Sequence, residues 1–350
     1  MAASFKIPFL VVGALFVVWG AFGLLDLRNL PYDGFRNSLD YTVIEVEEET
    51  PAAAAGLKVG DRIITYNGVP VEDTRAFTRM PRPEIGETRI LVVESADTTL
   101  VAVEAAPVTR EVALTYGTQP GRYVALTCAA FIIGLCFIGF GLLAYLKAPS
   151  RPAMLLALTG LCIGIGLVGA PYIGSYALRT IVDTITLLVL LFGFATLLHC
   201  LMEFPKTKPI LGKQHATKVL YAPVVLTALF SLWLAIVVPR GTGTLNTIVN
   251  AIYGIFVVLY FGLALAALIH SFVKATRAER SRFGLNLLLA GVIIGLLPTI
   301  IEALVSVIAP SVIMPGSDFF FLTAVLIPIT LALAVMKLGA GPAAELTPVT

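Results

Sequence analysis

The chain has 350 residues, of which 58% are hydrophobic and only 13% are charged, and its mean hydropathy is +0.92. Soluble globular proteins carry about 25% charged residues, so this composition excludes a soluble enzyme, a disordered chain and a fibrous protein. It predicts a polytopic α-helical membrane protein, and the net charge of +2 is too small to suggest a nucleic-acid partner.

Eight apolar runs are long enough to cross the lipid bilayer, which takes about 20 residues of helix. They are Ile7–Leu25, Tyr123–Tyr145, Ala153–Gly174, Ile181–Met202, Val219–Val238, Thr247–His270, Leu285–Ala309 and Phe319–Met336. Residues 1–26 are interpreted as an uncleaved anchor, because the apolar core is longer than that of a typical signal peptide. The other seven spans form a predicted helical domain at residues 121–337, followed by a flexible tail at residues 338–350.

The loops between the spans differ in charge. The loops after the second, fourth and sixth spans contain ten Lys and Arg residues, whereas the alternate loops contain only Arg179 and Arg240. Basic loops face the cytoplasm. The sequence therefore predicts a membrane protein with both termini in the cytoplasm and residues 26–120 outside.

The segment between the first two spans is acidic and has the pattern of a small α+β domain at residues 38–107. Thr50 is a suitable cap for a short helix that starts at Pro51, and Gly56 permits the left-handed turn that ends it. Asn67-Gly68 predicts a type I′ hairpin turn. A second helix is expected over Thr74–Met80 and a linker over residues 108–120. Strands are expected over Tyr41–Val46, Ile63–Tyr66, Val69–Val71, Thr88–Glu94 and Thr98–Glu104.

The order of these signals resembles the core motif of bacterial-type PDZ domains. The motif is a helix that ends in Ala55-Gly56-Leu57, then Gly60-Asp61, a strand, and Asn67-Gly68. In that family an extended peptide adds a strand beside a carboxylate-binding loop and the second helix. The resemblance implies an extracytoplasmic groove that binds a peptide or protein C-terminus, with the residues Tyr32, Gly34, Phe35, Tyr41, Val43, Thr74 and Phe77.

Asp33 lies in the segment expected to bind the carboxylate, Tyr32–Phe35, and a negative side chain there would repel a peptide carboxylate. A PDZ domain that only packs on the membrane domain, or on itself, is therefore an alternative to peptide binding.

The last spans are similar to those of multi-span bacterial sensor regions. A basic loop with Glu279–Phe283 precedes a span that contains Leu296-Leu297-Pro298, and Ile327–Ala334 lies in the last span. One span, an external PDZ domain and then a helical block also resembles the sensor part of pheromone-sensing histidine kinases that control competence and quorum responses. Because only Lys337–Thr350 follow the last span, we expect a free-standing sensor subunit or a product cut from a longer sensor.

The functional hypothesis is a non-enzymatic sensor or receptor module with a cytoplasmic or membrane signalling partner. One alternative is a PDZ-based scaffold or regulatory subunit for an envelope protein or protease. A transporter is less favoured, because the broken helices expected in both halves of many transporters are recognisable only in the second half, at Pro298 and Pro328.

No catalytic residue, metal site or cofactor is expected from the sequence. The histidines His199, His215 and His270 do not form a His-Glu-x-x-His motif. Ser175 is expected near the outer end of its span and His199 and His270 near inner ends, which argues against a Ser–His pair. The cysteines are interpreted as small buried apolar residues.

Four polar residues, Arg179, Asp183, Asn250 and Glu302, are expected in the outer half of the membrane domain. Ionisable side chains inside a membrane are costly and are often functional. A shared depth predicts an outer pocket for a ligand with a polar head group. The alternative is that these residues are interfacial anchors.

Overall fold

The structure is a computed structural model that describes residues 5–38, 40–95, 108–237, 243–309, 314 and 316–339. In these ranges the α-helices are α1 (Lys6–Asp26), α2 (Pro51–Ala54), α3 (Thr74–Arg79), α4 (Gly121–Lys147), α5 (Arg151–Val168), α6 (Tyr176–Glu203), α7 (Ala216–Val237), α8 (Gly243–Lys274), α9 (Arg277–Phe283), α10 (Leu285–Ile308) and α11 (Leu326–Gly339). The strands are β1 (Pro31–Tyr32), β2 (Phe35–Asn37), β3 (Val43–Val46), β4 (Arg62–Tyr66), β5 (Val69–Pro70), β6 (Thr88–Ser95), β7 (Val108–Thr115) and β8 (Gly117–Thr118).

Eight helical segments in the described ranges are long and apolar enough to cross a membrane, which confirms the predicted fold class. The last of these spans is not a continuous α-helix. Its first half, Ser317–Val325, is a 3₁₀ helix, and α11 follows it. Pro328 lies in the first turn of α11, next to the junction with the 3₁₀ helix.

The helical bundle is centred on α5, which packs against α1, α4, α6 and α11. Twelve of the 18 residues of α5 are buried, compared with three of the 21 residues of α1. On the other side of the bundle, α8 packs against both α6 and α10. The outer helix α7 packs mainly against α6, so one side of α8 has few helix contacts.

Glycines allow α4 and α5 to approach closely. A Cβ atom on Gly160 would overlap the carbonyl oxygen of Phe137, and one on Gly141 would lie 2.9 Å from the carbonyl oxygen of Leu156. Gly160 and Gly164 are four residues apart on one helix face, the spacing that favours close helix contact in membranes.

The small domain between α1 and α4 contains a four-stranded antiparallel sheet in the order β5-β4-β6-β7. Its apolar core is formed by Val43, Ala52, Leu57, Ile63, Val71, Leu91, Val93, Val112, Leu114 and Tyr116. Two local predictions are confirmed. Thr50 caps α2, and Gly56 has φ +78°. Asn67 and Gly68 both have positive φ, as a type I′ turn requires, and they connect β4 to β5.

The strand that pairs with β6 differs from the predicted one. Residues 108–120 were predicted as a linker, but they contain β7, which pairs with β6 from Thr88↔Thr115 to Ser95↔Val108. The strand predicted at Thr98–Glu104 lies outside the described residues. The reason for the difference is the alternation in β7, where Val112 and Leu114 face the core and Glu111 and Ala113 are exposed.

The chain segments that enter and leave the small domain pair with each other. β1, which follows α1, forms antiparallel pairs with β8, which precedes α4. Beside this pair, the carboxylate of Glu47 accepts hydrogen bonds from the hydroxyl groups of Tyr32 and Tyr123 and from the guanidinium of Arg122. Glu47 therefore joins the small domain to the first turn of α4.

Candidate peptide-binding groove

A groove lies between β2 and α3, with a volume of about 490 Å³. Phe35 on β2, Tyr41, Phe77 on α3 and Met80 supply its apolar surface, together with Ile63 and Val71 from the core. The Phe77 ring lies 5.7 Å from the Tyr66 ring and 6.2 Å from the Tyr41 ring, measured between centroids. Aromatic side chains thus form one wall of the cleft.

Strand β2 is an edge strand in the described part of the domain. It pairs with β3 on one side, with a register irregularity between Arg36 and Asn37. Asn37 and Ser38 line the groove on the other side. The backbone edge of a strand can pair with an added strand. The groove therefore offers both backbone pairing and apolar side-chain contacts.

Three charged residues line the groove: the acidic Asp33 and the basic Arg82 and Arg89. Burial raises the pKa of Asp33, while the backbone N–H groups of Phe35, Asp33 and Gly34 act in the opposite direction. Arg89 is only 3% exposed and donates to Glu87 Oε1 at 2.8 Å and to the carbonyl oxygen of Pro81 at 2.9 Å. The hydrogen bond from Arg89 lowers the pKa of Glu87.

The comparison with protein families agrees with this geometry. Residues 42–94 match a family model described as the PDZ domain. These residues form a PDZ domain. The match covers β3 to β6 with α2 and α3, but not β7. Groove residues outside the matched range come from residues 33–41, which include β2, and from Tyr116. No curated protein and no solved structure matched the chain.

The structure brings three of the seven predicted groove residues to the PDZ groove: Phe35, Tyr41 and Phe77. Val43 is fully buried in the core behind it. Tyr32 bonds to Glu47 at the base of the PDZ domain. Gly34 packs against the side chain of Thr50, and Thr74 begins α3, with its side chain outside the described set.

Arg89 and Met80 are groove residues that the sequence reasoning missed. The alternation in β6 indicates that Arg89 is buried. Arg89, Leu91 and Val93 share the buried face, while Ile90 is 46% exposed. Alternation along a strand places every second residue on the same face. A charged residue in phase with core residues could therefore have been identified. Met80 follows α3 and has no comparable signal.

Strand β2 also connects the groove to the membrane helices. Arg36 lies 3.4 Å from Glu45 Oε2 on β3 and 3.4 Å from Asp318 Oδ1 at the start of the last span. Asp26 at the end of α1 accepts a hydrogen bond of 2.8 Å from the backbone N–H of Tyr172, and Arg82 lies over the Tyr172 ring at 4.9 Å. The PDZ domain therefore contacts the loop between α5 and α6 and the last span.

The structure does not establish the predicted outer pocket of Arg179, Asp183, Asn250 and Glu302. Arg179 Nε lies 3.3 Å from Asp183 Oδ2, and both side chains are about half exposed, at 47% and 60%. Glu302 lies on α10, which packs against α8 and the last span. Asn250 lies on α8, between the helices that carry these groups, and its side chain is outside the described set. Among the described residues no hydrogen bond or ion pair links Arg179 or Asp183 to Glu302, and a shared pocket stays a prediction.

Among the described residues, no hydrogen bond joins a histidine to Ser175, whose hydroxyl accepts from the backbone N–H of Leu178. His199 Nδ1 lies 3.2 Å from the Tyr221 hydroxyl, next to Glu203, which pairs with Arg151 Nε at 2.8 Å. This network joins α5, α6 and α7 at the end of the bundle opposite the PDZ domain. Within the described residues, no group of three or more His, Cys, Asp or Glu side chains could hold a metal ion.

Proposed function

We propose that this protein is a non-enzymatic membrane sensor, in which a peptide bound in the PDZ groove changes the packing of the helices. One observation carries the proposal: β2 forms a wall of the groove and also contacts the last span through Arg36 and Asp318. A strand added to β2 changes the surroundings of a residue that touches the membrane domain. The resemblance to bacterial sensor regions supports the same function.

The proposed location is the bacterial cytoplasmic membrane, with the PDZ domain outside and both termini in the cytoplasm. The support is the set of ten basic residues in the loops after α4, α6 and α8, since basic loops face the cytoplasm. Successive spans run in opposite directions, so these loops lie at the end of the bundle away from the PDZ domain. In this orientation the groove binds a peptide or protein C-terminus of the cell envelope.

Two contacts between the PDZ domain and the helices differ in strength. The Arg36–Asp318 pair is about half exposed, at 46% and 50% of the side chains, and exposed pairs contribute only ~0.2–1 kcal/mol. The Glu47 side chain is 11% exposed and holds three donors. Burial acts to raise the pKa of Glu47, but the hydrogen bonds from Tyr123 and Tyr32, with the charge of Arg122, lower it overall. Glu47 is therefore the better position at which to interrupt the coupling.

The test uses the full chain in lipid nanodiscs. Peptides are selected from a displayed library of free C-termini, and hydrogen–deuterium exchange is compared with and without the selected peptide. A sensor shows slower exchange in β2 and α3 together with a change in Ser317–Val325 and in the first turn of α4. Glu47→Gln should remove the change in the first turn of α4, and Asp318→Asn should remove the change in Ser317–Val325, with the groove protection kept in both. The exposed neighbour variant Glu48→Gln should preserve the groove protection and both remote changes.

A scaffold predicts a different exchange pattern. Protection restricted to β2 and α3 would support a scaffold or regulatory subunit and contradict the sensor. The groove itself is tested with Phe77→Ala and Met80→Ala, against Ile44→Ala, which changes an exposed residue of β3 outside the groove. If the library yields no peptide that depends on Phe77 or Met80, the PDZ domain has a packing role only.

A further inference from the structure

A second cavity, of about 820 Å³, lies between α6, α7 and α8 at the end of the bundle opposite the PDZ domain. Its walls are almost entirely apolar and include Met202, Leu220 and Tyr260. Pro223 of α7 also lines it, and a proline inside a helix removes a backbone hydrogen bond and bends the helix.

The cavity opens toward the side of the bundle. Four of its apolar lining residues are strongly exposed: Ile210 at 52%, Val219 at 69%, Leu259 at 42% and Leu263 at 48%. Val219, Leu259 and Leu263 belong to membrane-spanning helices, so their exposed surfaces face lipid, whereas Ile210 lies in the basic segment between α6 and α7. An occupant can therefore enter from the bilayer without crossing water.

One end of the cavity is basic. Lys208, Lys213 and His215 lie there, in the segment between the end of α6 and the start of α7. Lys208 also lines an adjoining cavity of about 250 Å³ that contains Lys206 and Lys274. Apolar walls are thus continuous with a basic rim at the depth where lipid head groups lie.

The Lys208 ammonium group has hydrogen-bonding capacity left for an anion. Its amine donates to the carbonyl oxygen of Leu201 at 3.0 Å and to Ser271 Oγ at 2.6 Å. An ammonium group has three donors, so one remains for a ligand. Within the described residues no carboxylate lies within 4.0 Å of this amine, whereas the neighbouring Lys206 pairs with Glu279 at 2.8 Å. Burial lowers the pKa of Lys208 to about 8, and a bound anion would offset that effect.

We propose that this cavity binds an anionic phospholipid, with an acyl chain between α7 and α8 and the phosphate on the Lys208 amine. Basic pockets between helices on the cytoplasmic side are known binding sites for acidic head groups. The lateral opening and the apolar walls select an amphiphile over a free phosphate ion. This site is separate from the PDZ groove, and its test does not depend on the proposed function.

The test is lipid binding to the purified full-length protein in detergent, measured by native mass spectrometry. The probes are palmitoyl-oleoyl phosphatidylglycerol, the matching phosphatidylcholine, and glycerol phosphate as the head group alone. We expect tighter binding of phosphatidylglycerol than of phosphatidylcholine, and no measurable competition by glycerol phosphate. One basic residue facing anionic lipid contributes ~1 kcal/mol, so Lys208→Gln should weaken phosphatidylglycerol binding about fivefold.

Two further variants separate the site from general surface charge. Lys218→Gln removes an exposed lysine at the same end of the bundle that lines neither cavity, and should change binding by less than about twofold. Ala266→Phe fills the cavity without changing any charge and should weaken binding of phosphatidylglycerol. Gel filtration and thermal stability establish that each variant is folded.

Several results would each overturn the proposal. They are equal binding of the two lipids, equal losses in Lys208→Gln and Lys218→Gln, and unchanged binding in a folded Ala266→Phe protein. Effective competition by glycerol phosphate would also overturn it, because the apolar cavity would then contribute nothing.

Discussion

Asp33 is the acidic residue of the PDZ groove, and it lies in the loop before β2. Its carboxyl group is close to the backbone N–H groups of its own loop, which in PDZ domains are the groups expected to receive a peptide carboxylate. An ionised Asp33 therefore competes with, and repels, a bound C-terminus. Because burial raises the pKa of Asp33, the repulsion weakens as the pH falls through that pKa.

Peptides with a free carboxylate should therefore bind more tightly as the pH is lowered through the raised pKa of Asp33, as long as the peptide carboxylate, whose own pKa is about 3.3–3.7, is still ionised. Asp33→Asn should bind them about fivefold more tightly at neutral pH and without this pH dependence, since two charges about 4 Å apart in water interact by about 1 kcal/mol. Fluorescence anisotropy with free and amidated forms of one selected peptide measures the effect. Glu72→Gln, at an exposed site outside the groove, is the control. Identical behaviour of the two peptide forms in both proteins would contradict this role of Asp33.

Gly34 is required for two separate reasons. Its φ is +83°, and a Cβ atom there would overlap the side chain of the buried Thr50. Gly86 has φ +85° and no atom near its Cβ position. Gly86→Ala should cost only the backbone strain, about 1–2 kcal/mol. Gly34→Ala should cost the strain and about 1–3 kcal/mol more, from the overlap with Thr50. The stability of the PDZ domain is measured by proteolysis of the full-length protein at increasing urea concentrations. Equal losses in the two variants would show that Thr50 moves away without cost.

At the scale of whole elements, the contact between α4 and α5 depends on glycine. The two helices meet backbone to backbone at Gly160, so Gly160→Ala must separate them and reduce packing around it. Gly139, also on α4, has nothing within 4 Å of its Cβ position. Gly139→Ala should be neutral or slightly stabilising, because alanine favours helix by about 1 kcal/mol.

The expected difference is a clear decrease in melting temperature for Gly160→Ala, corresponding to about 1–3 kcal/mol from overpacking. Thermal unfolding in detergent, followed by gel filtration, compares the two variants directly. If both alanines leave the melting temperature unchanged, close packing of α4 on α5 does not determine the stability of the bundle.

At the scale of the whole molecule, the two ends of the bundle have opposite character. The acidic PDZ domain contacts one end, and the basic loops, with the Arg151–Glu203 and Lys206–Glu279 pairs, form the other. At the basic end, α9 begins with a capping box of Thr276 and Glu279. The hydrogen bond from Lys206, followed by those from Thr276, lowers the pKa of Glu279 to about 2. Loops that follow α6 and α8 are thus tied together.

The orientation can be tested with single cysteines in a background without Cys128, Cys136, Cys162 and Cys200. Val59→Cys lies on an exposed part of the PDZ domain, and Gln214→Cys and Ala278→Cys lie on exposed parts of the basic loops. In intact cells an impermeant thiol reagent should label only the Val59 position, and all three should react after lysis. Labelling of the Gln214 and Ala278 positions in intact cells would reverse the orientation.

The sequence by itself determined the features that depend on neighbouring residues. The eight spans follow from the length of the apolar runs, α2 follows from Thr50 and Pro51, and the β4–β5 turn follows from Asn67-Gly68. These signals are local, because a helix or a turn is specified within a few residues. The same local motif identified the PDZ domain that the family comparison found.

Only the tertiary structure decided which distant segments meet. The pairing of β7 with β6, the burial of Arg89 in the groove, and the three donors on Glu47 all join residues far apart in the chain. The cavity beside Lys208 likewise arises from the separation of α7 and α8. The environment of a polar side chain depends on packing between elements, and apolar helix patterns do not specify which helices are neighbours. For this reason the sequence located the PDZ domain and one wall of its groove, but not its charges or its contacts with the helices.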